Sequence, residues 1–243
     1  MRSEQSVVSV AFALDAEFAP WRARRLFAAA APGEPDSFEA TVGPARVRAA
    51  IVGIRARRLT QVAPWLLDAS VDALIVAGLA GALSPVHRVG DVLAARHICR
   101  DGEQRAADPH LVALAGSCGA AIVERFVTSD RIAGTAAAKR ALAEAGDSID
   151  MESFEVVDAA QRRGIAALAL RVIGDAAADD LPLDVEAAIT PDGSVSALTL
   201  AGSTIARPWR WPRLIRFAIE QRRALGALSV VLDALTASLG HQS

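Results

Sequence analysis

Short apolar runs typical of β-strands alternate with longer helical segments along the 243 residues of this chain. Such alternation is typical of a mostly parallel sheet flanked by helices, so we predict an α/β fold. No repeat or low-complexity linker divides the sequence, and its length suits one large domain, so we expect residues 1–243 to form a single domain. The predicted strands are Val7–Leu14, Phe38–Val42, Arg46–Val52, Val71–Ala77, Asp91–Cys99, Ala120–Thr128 and Ile165–Ile173.

The remaining segments are predicted as helices, one hairpin and one irregular stretch. The predicted helices are Arg55–Ala69, Leu111–Gly116, Thr135–Ala145, Ser153–Arg163 and Pro208–Leu239, the last punctuated by Pro212. Gly43-Pro44 is expected to join two of the strands as a hairpin. Asp179–Gly202 contains two prolines, two glycines and several acids, and it is predicted to be irregular. Long irregular segments inside a compact domain are often functional.

Three acidic motifs lie where strand-like runs stop. Leu14-Asp15-Ala16-Glu17 follows the first run, Asp150-Met151-Glu152 opens a helix, and Gly174-Asp175 follows the last strong run. In an open α/β sheet, the carboxyl ends of strands are where ligands bind. Three carboxylates converging there predict an enzyme that performs acid/base chemistry on a neutral, hydroxyl-bearing substrate.

Each motif has a chemical and a purely structural interpretation. Glu152 suits the diol of a ribose and positive charge on the sugar ring, with Met151 as an apolar floor, but Asp150-Met151-Glu152 also suits the start of a helix. Asp175 in its protonated form can donate to a purine N7, or it can be a turn residue after Gly174. Glu17 can polarise a water, or it can be a solvated residue in the first turn of a helix over Glu17–Phe27.

The net charge, the spacing of cysteines and histidines, and the length of the apolar runs argue against several classes of protein. The formal charge of −2 gives no reason to expect nucleic acid as a partner. Cys99, Cys118 and four scattered histidines match no metal-ligand spacing, so we expect no metal site. No cofactor is predicted for this chain. No apolar run reaches the roughly 18 residues of a membrane span, so a cytoplasmic protein is expected.

The order of the motifs is more specific than any single one. The chain resembles the purine nucleoside phosphorylase and methylthioadenosine/S-adenosylhomocysteine nucleosidase superfamily over nearly its full length. This resemblance implies cleavage of N-ribosidic bonds on a three-layer α/β/α scaffold with a mixed central sheet. The matching motifs are Ala13-Leu14-Asp15-Ala16-Glu17, Val52-Gly53-Ile54, Gly78-Leu79-Ala80-Gly81, Val89-Gly90-Asp91, Thr128-Ser129-Asp130, Asp150-Met151-Glu152 and Arg171-Val172-Ile173-Gly174-Asp175.

The resemblance also implies roles for individual residues. Glu17 matches the water-activating glutamate of the superfamily, Glu152 the ribose-binding glutamate, and Asp175 the aspartate at purine N7. Further substrate-binding positions are Met151 under the ribose, Ile132 along the base, and Gly78, Leu79 and Ser129. The nucleosidases carry Gly-Ser-Ala-Gly where this chain has Gly78-Leu79-Ala80-Gly81, so a hydroxyl near the sugar or a phosphate is missing.

A narrower resemblance is to the hopanoid-associated phosphorylase/nucleosidase group. It depends on Thr128-Ser129-Asp130-Arg131, Asp150-Met151-Glu152-Ser153, Leu181-Pro182-Leu183, Thr190-Pro191-Asp192-Gly193-Ser194 and the aliphatic Leu79. This group is implied to release adenine from adenosylhopane. The expected partner is therefore an adenine nucleoside, lipid-linked in this case, and the habit of the family implies a homo-oligomer such as a dimer.

Several alternatives stay open at this point. Phosphorolysis needs cations around an oxyanion, for which Arg22, Arg24, Arg25, Arg55 and Arg57 are candidates, whereas Glu17 would repel phosphate and favours water. A methylthioadenosine/S-adenosylhomocysteine nucleosidase and a non-catalytic nucleoside-binding protein are further possibilities. A dinucleotide-dependent oxidoreductase is disfavoured because Gly78-Leu79-Ala80-Gly81 does not match the G-x-G-x-x-G pattern, although it suits a turn that approaches a ligand.

The segment Ala206–Leu228 combines arginines with tryptophans and other apolar residues. It is predicted either to touch an anionic membrane surface, which would place the protein at the periphery of the inner membrane, or to pack on the sheet as an ordinary amphipathic helix.

Overall fold

The computed structural model describes residues 5–30, 36–182, 186–196 and 211–241. In these residues, ten strands pair into one sheet. The strands are β1 Val7–Phe12, β2 Ala28–Ala29, β3 Ser37–Val42, β4 Ala45–Ile51, β5 Ala73–Ala82, β6 Val92–Arg100, β7 Glu103–Ala106, β8 Ala121–Thr128, β9 Ser148–Asp150 and β10 Ala166–Asp175. The helices are α1 Asp15–Arg24, α2 Leu59–Leu66, α3 Pro109–Ser117, α4 Ala136–Ala141, α5 Ser153–Gln161 and α6 Trp211–Leu239.

The sheet is mixed, as predicted, and part of it closes on itself. β5 lies between β1 and β10 and is parallel to both, while β10 also pairs with β6 in the antiparallel sense. β6 also pairs with β8, β8 pairs with β9, and β9 pairs with β5, which closes the ring of strands. The carboxyl ends of the parallel strands β1, β5 and β10 lie on one side of the molecule, and β9, which is antiparallel to β5, ends beside the last residues of β5. The acidic motifs lie in this region.

The long strands extend beyond their predicted ends. Gly78–Gly81 was expected to form a turn, and that prediction is wrong because these residues continue β5, pairing with Arg171–Asp175 of β10. Gly174 and Asp175 likewise belong to β10, with a register irregularity just before Asp175. The predicted hairpin over β3 and β4 is confirmed.

The predicted helices Arg55–Ala69 and Thr135–Ala145 are several residues shorter than expected. Residues 54–56 form a 3₁₀ turn with Arg55 at a φ of 59°, and α2 begins only at Leu59. α4 begins after Thr135, whose hydroxyl caps it by accepting the amide of Ala138 at 3.1 Å. Pro212 is the second residue of α6, where a proline displaces no helical hydrogen bond, so it does not interrupt the helix.

The remaining differences fall on short or irregular segments. β2, β7 and β9 were not predicted. The described part of the segment predicted as irregular contains a 3₁₀ turn at Glu186–Ala188 and a single bridge between Ile189 and Val195. Residues 197–202 of that segment, Leu183 in one motif, and residues 206–210, with Trp209, lie outside the described residues.

The C-terminal half of α6 packs onto the sheet and ties down α1. Leu225, Leu228 and Leu232 are buried at helical spacing, and each contributes about 1.5–3 kcal/mol by leaving water. The fully buried Trp21 of α1 donates its indole N–H to Asp233 Oδ1 of α6 at 2.7 Å. α1 carries Glu17, so this contact helps to fix one of the acidic motifs. Among the described helices, none is long and apolar enough to cross a membrane.

Candidate active site

A cavity of about 280 Å³ opens at the carboxyl ends of β1, β5, β9 and β10. It brings together six of the eight residues proposed from sequence, namely Glu17, Leu79, Ile132, Met151, Glu152 and Asp175. Gly78 and Ser129 are not among the residues that line it. The Ser129 hydroxyl instead accepts the amide of Arg131 at 3.1 Å, so this side chain shapes the turn beside the cavity.

Glu17 is a buried and fixed carboxylate. Its Oε2 accepts the amides of Ala13 and Leu14, both at 3.1 Å, and its Oε1 accepts the amide of Leu79 at 2.8 Å. Burial raises the pKa of Glu17, while Arg171 and these amides oppose the rise. The alternative of a solvated first-turn residue is therefore wrong, and the helix around Glu17 spans Asp15–Arg24 and not Glu17–Phe27.

Glu152 faces a buried arginine. Arg171 Nη2 lies 3.3 Å from Glu152 Oε2, and the amide of Arg55 donates to Glu152 Oε1 at 3.1 Å. Burial raises the pKa of Glu152 to about 7; the carboxylates of Asp150 and Glu17 add to the rise, and Arg171 opposes it. Near neutral pH this carboxyl is thus balanced between its charged and neutral forms.

Asp150 has the structural role that the sequence left open. Its Oδ1 accepts the amides of Glu152 and Ser153 at 3.2 and 3.1 Å, and the hydroxyl of Thr128 at 2.9 Å. Its Oδ2 lies 3.1 Å from Arg171 Nε. Asp150 therefore holds the start of α5 and neutralises Arg171, which leaves the Glu152 side chain to line the cavity.

The close packing around position 78 explains why β5 has a glycine there. A Cβ at this position would lie 2.7 Å from both Arg171 Nη1 and Glu17 Oε1, closer than a real Cβ contact allows. The groups that come close to Gly78 are two charged side chains of the protein, whereas the approach of a ligand to this position stays a prediction.

Asp175 lies at the other end of the cavity and pairs with a buried lysine. Lys139 of α4 is fully buried, contacts Asp175 Oδ2, and donates to the carbonyls of Ala176 and Asp179 at 2.7 and 2.9 Å. Burial raises the pKa of Asp175, Lys139 opposes the rise, and the nearby Asp179 adds to it. The chain thus carries a carboxyl that is drawn toward its protonated form yet held in a fixed orientation.

Sequence reasoning missed several residues around this cavity. Lys139 received no role, Arg171 was noted only within a motif, and Phe217 and Gln221 of α6 line the cavity without having been proposed. A signal existed for Arg171, since an arginine inside an otherwise apolar strand is rarely buried without a charged partner. Lys139 gave no such signal, because it follows a run of alanines in a short helix.

A mixed α/β sheet with buried carboxylates around a cavity at its strand ends is an arrangement typical of α/β enzymes. A family model described as the phosphorylase superfamily matches residues 29–197, and the chain belongs to that superfamily. It is therefore related to nucleoside phosphorylases and nucleosidases, which are N-glycosyl phosphorylases or hydrolases. No curated protein sequence matches the chain.

Solved structures share this fold over nearly the whole chain. The 5′-methylthioadenosine/S-adenosyl homocysteine nucleosidase of Helicobacter pylori has a TM-score of 0.71 at 15% identity, covering 96% of this chain and 98% of that one. A futalosine hydrolase mutant of the same organism has a TM-score of 0.71 at 14% identity, covering 96% and 99%. The Neisseria meningitidis nucleosidase in complex with methylthio-immucillin-A has a TM-score of 0.70 at 18% identity, covering 96% and 99%. At such identities the likeness establishes the fold alone.

Proposed function

We propose that this protein hydrolyses the N-ribosidic bond of an adenine nucleoside and releases adenine. The observation that carries the proposal is that Glu17, Glu152 and Asp175 line one cavity, the first two buried and Asp175 partly exposed, each held by a different set of donors. Three carboxyls in distinct environments can perform three different tasks, because environment decides which of them is charged.

In this mechanism a water molecule attacks the anomeric carbon as the bond to the base breaks. Glu17 accepts a proton from the water, and its raised pKa suits a general base near neutral pH. The electron pair of the broken bond passes to adenine, and Asp175 donates a proton to N7 of the leaving base. The raised pKa of Asp175 favours the protonated form that this step requires.

Glu152 in its ionised form accepts hydrogen bonds from the ribose hydroxyls and stabilises the positive charge that develops on the sugar ring. Arg171 orients this carboxylate from behind while Asp150 balances the charge of the arginine. Met151 lines the cavity beside Glu152, as expected for an apolar floor under the sugar.

The arginines considered for phosphate binding give phosphate little support, because none of them lines the cavity. Four of the arginines considered for phosphate binding are paired with carboxylates: Arg22 with Asp15, Arg24 and Arg25 with Asp233, and Arg55 with Glu186. The carboxylate of Glu17 would also repel a phosphate placed at the nucleophile position.

The proposed substrate is adenosylhopane, as the resemblance to the hopanoid-associated group implies. Apolar side chains make up much of the cavity wall, which suits a nucleoside with an apolar 5′ substituent. They include Leu14, Ile54, Leu79, Ile132, Ile149, Leu181 and Phe217. A lipid-linked substrate fits a protein that rests against the membrane surface, and we propose a homodimer in line with the family habit.

The direct test is incubation of the purified protein with adenosine, methylthioadenosine and adenosylhopane in phosphate-free buffer and in phosphate. We expect free adenine at the same rate in both, with a ribose that carries the 5′ substituent of the substrate and no phosphate as the second product. A strict need for phosphate, with ribose 1-phosphate as product, would demote Glu17 and make the protein a phosphorylase.

A matched pair of variants ties the activity to the cavity. Asp175→Asn is nearly isosteric but supplies no proton, so we expect a loss of about 10²–10⁴-fold in turnover. Asp101→Asn changes a carboxylate whose side chain is 88% exposed, and it should leave turnover unchanged. Normal turnover in a folded Asp175→Asn protein would remove Asp175 from the mechanism.

A further inference from the structure

Two adjacent residues beside the cavity adopt a left-handed backbone conformation. Arg55 has a φ of 59° and Ala56 a φ of 51°, although neither is glycine. This conformation costs free energy in residues with a Cβ and persists only where the surroundings impose it. The preceding residue, Ile54, lines the cavity, so the strained turn forms part of its wall.

The left-handed turn directs a backbone amide toward Glu152. The N–H of Arg55 donates to Glu152 Oε1 at 3.1 Å. The neighbouring amide of Ile54 donates in another direction, to the carbonyl of Gly193 at 2.8 Å. We expect a relaxed backbone at Arg55 to lose this hydrogen bond to the carboxylate.

The side chain of Arg55 is anchored to two other segments of the chain. Its Nε donates to the carbonyl of Asp130 at 2.8 Å, and its Nη2 forms an ion pair with Glu186. The second oxygen of Glu186 accepts the amide of Ile132 at 3.2 Å. The guanidinium therefore joins the strained turn to the 130–132 turn, whose Ile132 lines the cavity, and to the 3₁₀ turn at Glu186–Ala188.

We propose that Arg55 is a positioning residue whose side chain holds its own backbone in the left-handed conformation, so that its amide keeps the Glu152 carboxylate aimed into the cavity. The inference rests on the proposed function only in assigning Glu152 to the ribose. Backbone strain supplies the orientation, and the anchored guanidinium opposes its relaxation.

The test compares alanine and glycine at position 55. Arg55→Ala removes the anchor but keeps the steric cost of the left-handed conformation, so the turn should relax and kcat/KM should fall about 10- to 100-fold, the range expected for loss of a hydrogen bond to a charged group. Glycine adopts the same φ without a steric cost. Arg55→Gly should therefore recover most of the activity that alanine loses, and the exposed neighbour Arg57→Ala should match the wild type.

A second variant breaks the anchor from its other end. Glu186→Ala leaves the strained residue unchanged and should lower kcat/KM in the same direction as Arg55→Ala, by a smaller factor. Equal losses in Arg55→Ala and Arg55→Gly would show that the side chain acts without the backbone, and normal activity in both would show that it does not matter. Either result overturns the proposal.

A titration separates this inference from the proposed function. The Glu152 carboxyl, followed by NMR in protein labelled with ¹³C-glutamate, should show a higher pKa in Arg55→Ala than in the wild type, because a donated amide favours the charged form. In Arg55→Gly it should stay near the wild-type value. This readout remains valid if the wild type cleaves no nucleoside at all, whereas an unchanged Glu152 pKa in folded Arg55→Ala would refute the positioning role.

Discussion

The charge of Glu152 depends on pH in the physiological range. Burial raises its pKa to about 7, so it loses much of its charge when the pH falls only slightly below neutral. In the proposed mechanism the neutral form cannot stabilise a cationic sugar ring. The partners of Glu152, the guanidinium of Arg171 and the backbone amide of Arg55, do not themselves change charge in this range.

We therefore expect kcat/KM to fall as the pH drops below about 7, with the carboxyl of Glu152 taking up one proton. A rate profile from pH 5 to 9 checks this, and Glu152→Gln should give a low rate without that acidic limb. A wild-type profile that stays flat down to pH 5 would show that Glu152 is ionised throughout or is not needed in its charged form.

The sequence was enough to propose the three carboxyls as site residues, but it did not indicate their burial or their partners. Glu17, Glu152 and Asp175 follow strand-like runs, and that position alone suggested a ligand site. The burial of Glu17 comes from its contact with the amide of Leu79, a residue 62 positions away. Lys139 meets Asp175 only because α4 folds against the end of β10, which no local pattern indicates.

At the scale of elements, local chemistry placed the strands but not their ends. Glycine favours turns, so β5 was predicted to stop before Gly78; parallel pairing with β10 instead continues the strand. β9 has three residues, too few to show an alternating pattern. Pairing with distant strands determines both where β5 ends and that β9 forms, and such pairing is not visible in the local sequence.

Gly78→Ala tests the close packing inside β5. A Cβ there meets Arg171 and Glu17 at 2.7 Å, so the two charged groups must move apart, and we expect a large loss of activity with lowered thermal stability. The matched control is Gly226→Ala in α6, where nothing lies within 4 Å of an added Cβ. This second change should leave activity intact and raise helix stability by up to about 1 kcal/mol. Full activity in Gly78→Ala would mean that Glu17 and Arg171 need not be held this closely.

At the scale of the whole molecule, the net charge is only −2, but the first half of α6 forms a basic surface. The first half of α6 carries Arg213, Arg216, Arg222 and Arg223, whereas Glu220 is its acid. Trp211, Ile215 and Ile219 recur every four residues and are 48%, 60% and 47% exposed. The two halves of α6 thus differ. The second half packs on the sheet, as predicted for an amphipathic helix, and the first half presents apolar and basic side chains beside the cavity.

We expect the exposed half of α6 to bind anionic bilayers. Arginines attract anionic headgroups and the apolar side chains insert at the interface, so the protein should float with vesicles containing phosphatidylglycerol at low salt and not with vesicles of phosphatidylcholine alone. Ile215→Ser/Ile219→Ser and Arg216→Ser/Arg223→Ser should each reduce the floating fraction. Leu26→Ser removes an apolar side chain that is 99% exposed outside α6 and should have no effect. Since electrostatic attraction is strongest at low ionic strength, failure to float there would refute membrane contact by this helix.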